Sequence, residues 1–116
     1  MAMHSVLIVG CGSIGERHLR CFLRSGRAHV SACEADPERR KQVAEKYRVP
    51  VSTWPEALGP EIGAVVIATP APQHVEMAER ALAAGRHVLV EKPLASSWDG
   101  VDHLIALGAR SARQVA

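Results

Sequence analysis

The chain has 116 residues, 47% of them hydrophobic, which is enough for one domain with a modest core. Its 14 Lys and Arg residues exceed its 12 Asp and Glu residues by a formal charge of only +2, and because the basic residues are dispersed, we expect no nucleic-acid partner. The sequence has three cysteines without a CxxC pair, which favours the reducing cytoplasm. It has no basic leader and no apolar run of membrane-spanning length, so we expect no membrane partner.

The first half of the chain alternates apolar runs with segments of helical period, which predicts three strands and two helices. Residues 6–9 form the first predicted strand, and the helix after it ends at Gly26. The apolar stripe of that helix consists of Ile14, His18, Leu19, Phe22 and Leu23. Residues 28–33 predict a second strand, after which the Asp36-Pro37 pair favours the start of a helix that runs to residue 47. Residues 49–54 predict a weaker third strand.

The second half continues the alternation with two further strands and two helices. Residues 64–69 are nearly all apolar, so we expect this strand to be the buried middle of a parallel sheet. A helix over residues 74–85 follows, and the next strand lies within residues 86–93, where Pro93 stops it. The last predicted helix lies within residues 96–110 and begins at a Ser96 or Ser97 cap. The final "QVA" is consistent with the start of another strand.

These repeated βα units predict an α/β protein with a doubly wound Rossmann sheet between two helical layers. We interpret residues 1–116 as a single dinucleotide-binding domain. Parallel strands joined by helical crossovers place their ligand site at the carboxyl ends of the strands. The informative short motifs of this sequence all fall at those ends.

The first motif is GxGxxG, formed by Gly10, Gly12 and Gly15 between the first strand and the first helix. The first glycine permits a tight turn, the second lets a pyrophosphate approach the backbone, and the third lets helix and strand pack closely. The free N–H groups at the helix start attract that pyrophosphate. A merely tight connection would use the same glycines. Glu34 lies nineteen residues after Gly15, at the end of the second strand, and therefore favours the dinucleotide interpretation.

The choice of dinucleotide depends on charges near the second strand. The Glu34 carboxylate can accept hydrogen bonds from the adenosine ribose and would repel a 2′-phosphate, so it favours NAD. Arg39 and Arg40 could accommodate the 2′-phosphate of NADP, or could be solvated charges on the second helix. NAD is the expected cofactor, and NADP stays open.

Residues 68–95 carry the most specific motifs. A strand ends in Thr69-Pro70, His74 follows shortly after, and Glu91-Lys92-Pro93 closes the next strand. Together with the glycine motif, this pattern resembles the glucose–fructose oxidoreductase and inositol dehydrogenase family (Gfo/Idh/MocA) over essentially the whole chain. The resemblance implies an NAD(P)-dependent oxidoreductase that transfers a hydride between a nicotinamide cofactor and a sugar, cyclitol or related hydroxyl or carbonyl substrate.

The resemblance also implies a role for each site residue. Residues 10–15, with Ser13 and Ile14 between the glycines, would hold the pyrophosphate, and Glu34 would bind the ribose. The path toward the nicotinamide would be lined by Thr69, Pro70 and His74. Lys92 would be the catalytic residue, contacting the nicotinamide ribose and the substrate hydroxyl beside Glu91, with Pro93 fixing the turn, often through a cis peptide.

Several of these residues have simpler interpretations. A Lys at the cofactor can stabilise a developing oxygen charge or join a proton relay, but Lys92 could also be a surface amine at a strand end. His74 could instead cap a helix or face solvent. The other histidines are scattered without metal-ligand spacing, so we expect no metal. Cys11 could be a redox handle, although a small residue tolerated at a variable position is the simpler explanation.

Members of the family are about three times this length and carry a second domain with the substrate pocket and most of the oligomer interface. We therefore expect the chain to be catalytically incomplete alone, to meet a small polyol or sugar only with a second domain, and to self-associate as a homo-oligomer through surfaces left open. The alternative is a stand-alone, non-catalytic dinucleotide-binding or interaction module; a methyltransferase fits less well, because of the Glu-Lys-Pro motif.

Overall fold

The computed structural model describes residues 3–116 as a parallel sheet of five strands covered by helices. The strands are β1 (His4–Val9), β2 (Ala28–Cys33), β3 (Val51–Ser52), β4 (Ala64–Ile67) and β5 (His87–Val90). The helices are α1 (Ser13–Ser25), α2 (Pro37–Tyr47), α3 (His74–Ala83) and α4 (Val101–Arg110), with a single 3-10 turn over Ala71–Gln73. In the part of the chain that the structure describes, each helix is too short or too polar to cross a bilayer.

The strands lie in the order β3-β2-β1-β4-β5, and every pairing between them is parallel. This order confirms the predicted doubly wound Rossmann sheet, whose strand order reverses between β1 and β4. The prediction that residues 64–69 form the middle of the sheet is wrong, because β1 occupies the middle and β4 lies beside it. A doubly wound chain builds outward from its first strand in both directions, which places β1 at the centre.

The core has two layers because successive side chains of a strand point to opposite faces of the sheet. Leu7 and Val9 of β1 pack with the residues of α3 and α4, including Leu82 and Leu104. Val6 and Ile8 face the other side. That second layer also contains Leu19 of α1 and Val43 of α2.

The boundaries of the first helices follow from the signals in the sequence. Gly26, with a φ of +66°, ends α1 in the left-handed conformation. The Asp36 side chain accepts a hydrogen bond from the Glu38 N–H at 3.2 Å and begins α2. The predicted apolar stripe of α1 is only partly buried: Leu19 is fully covered, whereas the Ile14 side chain is half exposed. Ile14 lies in the first turn of α1, next to the glycine loop.

Two predicted boundaries are wrong. The third strand shrinks from residues 49–54 to Val51–Ser52, because only these residues pair with β2. The last helix begins at Val101 rather than at a serine cap, since Gly100, with a φ of +78°, occupies the capping position. The Ser97 hydroxyl instead accepts the Asp99 N–H in the loop before the helix. Farther along, Val115 forms a parallel bridge with Val88, which confirms strand-like pairing in the final "QVA".

Candidate functional site

The glycine loop joins β1 to α1 and has a different steric demand at each glycine. Gly10 has a φ of +91°, and a Cβ there would lie 2.9 Å from the Ala68 carbonyl oxygen. A Cβ at Gly15 would lie 1.7 Å from the Gly10 carbonyl oxygen. A Cβ at Gly12 would meet no described heavy atom within 4 Å. Gly10 and Gly15 are therefore needed by the fold, whereas Gly12 leaves open space against its backbone.

The start of α1 leaves donors free to bind an anion. Gly12 is the N-cap residue, and no side chain among residues 3–116 caps it. The first N–H groups of a helix lack intrahelical acceptors and carry the positive end of its dipole. Ser13 and Ile14 contribute the first two of these N–H groups and have exposed side chains. The fold thus presents backbone donors beside the open space at Gly12.

A cleft of about 710 Å³ opens along the carboxyl ends of the strands. Six of the predicted site residues line it: Gly10, Gly12, Glu34, Arg39, Thr69 and Pro70. Its other walls were not anticipated from the sequence, and they include Thr53, Trp54, Gln73 and Met77. Trp54 lies two residues after β3 and ends the predicted strand over residues 49–54, so an aromatic residue at the carboxyl end of a predicted strand is the signal that could have indicated it.

Glu34 lies at the end of β2 with its side chain 8% exposed, and it joins two loops. Its Oε1 accepts the Cys11 N–H at 2.9 Å, and its Oε2 accepts the Asp36 N–H at 2.8 Å. The Arg39 guanidinium lies 3.8 Å from Oε1. A carboxylate can accept about four hydrogen bonds, so the two backbone donors do not use its full capacity, and Glu34 is among the residues that line the cleft. The structural task of Glu34 was missed in the sequence because backbone donors leave no sequence signature.

The two arginines after Glu34 are placed differently. The Arg40 guanidinium donates to the Glu34 and Ala35 carbonyl oxygens at 2.9 and 3.0 Å, which commits it to the turn before α2. The Arg39 side chain lines the cleft and is half exposed. Of the two cations predicted near a ribose phosphate, only Arg39 therefore faces the cleft.

His74 begins α3 and is 1% exposed, so the solvent-facing alternative for this residue is wrong. Its Nε2 lies 2.6 Å from the Thr69 carbonyl oxygen, and its Nδ1 lies 2.8 Å from the Pro93 carbonyl oxygen. Its ring lies behind the Thr69 segment of the cleft wall. The structure thus brings His74 into contact with the backbone of two predicted site segments.

The Glu91-Lys92-Pro93 motif follows β5 directly. The Glu91 N–H donates to the Ile67 carbonyl oxygen of β4, and its Oε2 lies 2.6 Å from the His18 Nε2 of α1. That hydrogen bond from His18, aided by the positive charges of His18 and Lys92, lowers the pKa of the Glu91 carboxyl. Lys92 and Pro93 are exposed and are not among the residues that line the cleft, and the peptide bond between them is cis.

Cys11 lies within the glycine loop but is 2% exposed. Burial, with a further contribution from the charge of Glu34, raises the pKa of its thiol to about 11. The Cys11 Sγ donates to the Cys33 carbonyl oxygen at 3.7 Å. Because the thiolate is the reactive form of cysteine, this thiol is a packing group rather than a redox handle. Across residues 3–116, no three His, Cys, Asp or Glu side chains converge as metal ligands.

Comparison with known proteins finds a matching family and relatives over most of the chain. The family model described as "Oxidoreductase family, NAD-binding Rossmann fold" matches residues 4–116. The inositol 2-dehydrogenase of Ralstonia nicotianae is 30% identical over 105 residues, which cover 85% of this chain and 31% of that protein. The 4-carboxy-2-hydroxymuconate-6-semialdehyde dehydrogenase of a Sphingobium species is 37% identical over 97 residues, covering 80% of this chain and 31% of the relative.

Solved structures match over similar spans. GenD2 from gentamicin A biosynthesis, in complex with NAD, superposes with a TM-score of 0.92 at 31% identity, covering 100% of this chain and 34% of its own. Biliverdin reductase from Synechocystis, in complex with biliverdin and NADP+, gives a TM-score of 0.89 at 31% identity, and the match covers 96% of this chain and 36% of the reductase chain. The chain thus spans about a third of the length of the proteins it matches.

Proposed function

Because the chain belongs to the oxidoreductase family with an NAD-binding Rossmann fold, we propose that it is the cofactor-binding part of a dehydrogenase acting on a sugar, cyclitol or related substrate. The observation that most supports this proposal is the steric contrast within the glycine loop, where a side chain would clash at Gly10 and Gly15 and would meet open space at Gly12. That contrast fits a loop shaped to receive a ligand as well as to turn the chain.

The pyrophosphate of the cofactor binds against Gly12 and the first N–H groups of α1, to which Ser13 and Ile14 contribute. These donors hold a phosphate without a lysine, because the helix dipole adds to the hydrogen bonds. Any side chain at position 12 would occupy the space that the phosphate needs. Gly10 and Gly15 support this site by fixing the turn and by letting α1 approach the loop.

Glu34 binds the adenosine ribose and sets the preference for NAD over NADP. Its carboxylate already accepts two backbone N–H groups, and its remaining lone pairs can accept the ribose hydroxyls. A 2′-phosphate placed there would face this buried negative charge, and Arg39 alone offers a compensating cation. The related structures include complexes with NAD and with NADP+, so the preference is a property to measure.

The nicotinamide half of the cofactor extends past Thr69 and Pro70 toward the end of β5. When bound, the nicotinamide supplies the acceptor or donor of the hydride. Lys92 is the catalytic residue in this proposal: its ammonium donates a hydrogen bond to the substrate oxygen and stabilises the charge that develops there. Pro93 follows it in the turn, and Glu91 and His74 contribute to the same end of the site.

The proposal extends to the whole protein of which this chain forms the nucleotide-binding part. Relatives named as inositol 2-dehydrogenases favour a cyclitol or sugar substrate, which a second domain would contact. The chain alone is then catalytically incomplete. We also propose a homo-oligomer, supported by exposed apolar side chains such as Trp98 and Ile105, and a cytoplasmic location, supported by free thiols at Cys11, Cys21 and Cys33.

A matched pair of glycine variants tests the pyrophosphate assignment. We expect Gly12→Val to weaken NADH binding by a factor on the order of 100 or more while leaving the fold intact, because the new side chain enters the phosphate space. The control is Gly63→Val at the amino end of β4, where a Cβ lies 3.7 Å from the Ser5 carbonyl oxygen. Fluorescence titration and circular dichroism measure both properties. Equal NADH affinity in the two variants would remove the assignment.

A further inference from the structure

Two histidines from different helices contact the Glu91-Lys92-Pro93 turn on either side of Lys92. On the amino-terminal side, the Glu91 Oε2 lies 2.6 Å from the His18 Nε2 of α1. On the carboxyl-terminal side, the Pro93 carbonyl oxygen lies 2.8 Å from the His74 Nδ1 of α3. Lys92 itself is exposed between these two contacts. The lysine therefore lies in a turn that is held at both of its neighbours.

The contact on the amino-terminal side is a charge-assisted hydrogen bond. The His18 and Glu91 side chains are 25% and 31% exposed, so water only partly screens their interaction. His18 follows Gly15, the last glycine of the loop, by about one helical turn in α1. The pair therefore joins the helix that begins at the pyrophosphate loop to the residue before Lys92.

The contact on the carboxyl-terminal side ties the turn to the cleft wall. His74 is 1% exposed, and its Nε2 lies 2.6 Å from the Thr69 carbonyl oxygen while its Nδ1 lies 2.8 Å from that of Pro93. Both partners are carbonyl oxygens, which only accept hydrogen bonds, so the ring donates from the nitrogen that carries its proton and lies within hydrogen-bond distance of both segments. The ring spans the gap between the ends of β4 and β5.

We propose that His18 and His74 are positioning residues that together fix the backbone on both sides of Lys92, and so hold its ammonium beside the nicotinamide half of the cofactor. This inference rests on the proposed function of Lys92. Neither histidine contacts the reacting atoms. A catalytic group that is already held in place strengthens ligand binding and raises the reaction rate, because its segment loses little conformational entropy when the ligand binds.

The first test measures order at Lys92 in the cofactor-free chain by ¹⁵N relaxation. We expect the Lys92 amide to have a rigid order parameter of about 0.85 in the wild type and to fall toward about 0.6 in His18→Leu. His18→Gln keeps a donor near the position of Nε2 and restores the wild-type value. His74→Asn and His74→Gln each keep one donor, so we expect intermediate order parameters at Lys92. If these variants do not fold, the His18→Leu and His18→Gln variants, at a partly exposed position, decide the test.

The second test compares two ligands. NADH reaches Lys92 in this account, whereas ADP occupies only the adenosine and diphosphate part of the site. His18→Leu therefore weakens NADH binding by roughly five- to tenfold and leaves ADP binding within about twofold of the wild type. His103→Leu is the matched control, because it removes a histidine–glutamate contact of 2.8 Å, between His103 and Glu79, that lies away from the cleft.

The proposal requires both results. An unchanged order parameter at Lys92 in His18→Leu overturns it, as does an equal loss of NADH and ADP affinity, which would show that His18 acts on α1 rather than on Lys92. Unchanged NADH affinity also overturns it. Failure of the proposed function is distinguishable: the wild-type chain would then bind neither NADH nor ADP, while the relaxation measurement would still report on the two histidines.

Discussion

Glu34 is a predicted ligand-binding residue that also organises the fold. Its position nineteen residues after Gly15 predicts a ribose ligand, and in the structure it accepts hydrogen bonds from the Cys11 and Asp36 backbones. These contacts join the glycine loop to the turn before α2, and both segments line the cleft. A polar group that is almost fully buried is thus explained by its partners.

The three cysteines differ sharply in reactivity. Cys21 is exposed, whereas burial raises the pKa of Cys11 to about 11 and that of Cys33 to about 12. Since only the thiolate reacts, we expect a thiol reagent at neutral pH to modify Cys21 rapidly and the other two only after unfolding. Peptide mass spectrometry measures the sites, and Cys21→Ser is the control. Rapid modification of Cys11 in the folded chain would contradict the structure.

Gly15 and Gly12 differ in what they are needed for: the contact between α1 and the glycine loop requires Gly15 for stability, whereas Gly12 is proposed to serve cofactor binding. A Cβ at Gly15 would lie 1.7 Å from the Gly10 carbonyl oxygen, a distance that no rotamer change can relieve. We expect Gly15→Ala to lower the free energy of unfolding by about 3 kcal/mol or more, measured by urea denaturation. Gly12→Val should stay near the wild-type midpoint. A wild-type midpoint for Gly15→Ala would show that α1 can move away from the loop.

The elements were predictable where local chemistry decides them. β2 and α2 match their predicted bounds because the short, largely apolar run AHVSAC and the Asp36-Pro37 start are local signals. β3 and the start of α4 do not match, because the first depends on pairing with β2 and the second on the left-handed Gly100. The central place of β1 is likewise a property of the topology, and a run of apolar residues cannot report it.

Some residues of the cleft were likewise predictable from the sequence, and others depend on tertiary packing. Gly10, Gly12 and Glu34 line the cleft and were singled out by their spacing in the sequence, whereas Thr69 was singled out by the family resemblance. Trp54 and the buried contacts of His74 were not, because they depend on which segments meet in space. Motif spacing therefore located the cleft, and the packing of separate segments determined its walls.

Large apolar side chains on the surface of the molecule predict that the chain self-associates. Trp98 is 87% exposed and Ile105 is 62% exposed, and exposed apolar side chains of this size favour contact with another protein surface. We expect light scattering to show a mass above that of the monomer that rises with concentration. Trp98→Ser, a change at a residue that does not line the cleft, should reduce this self-association. A clean monomer at all concentrations would exclude self-association by this chain.

Dinucleotide binding is the property that we expect of the whole fold, with the preference between dinucleotides assigned to Glu34. Calorimetric titration of the chain with NADH and, separately, with NADPH measures both properties. We expect saturable binding of NADH at one site per chain and weaker binding of NADPH, because a 2′-phosphate would face the Glu34 carboxylate. Binding of neither dinucleotide by a chain shown to be folded would exclude the site, and tighter binding of NADPH would exclude the proposed role of Glu34.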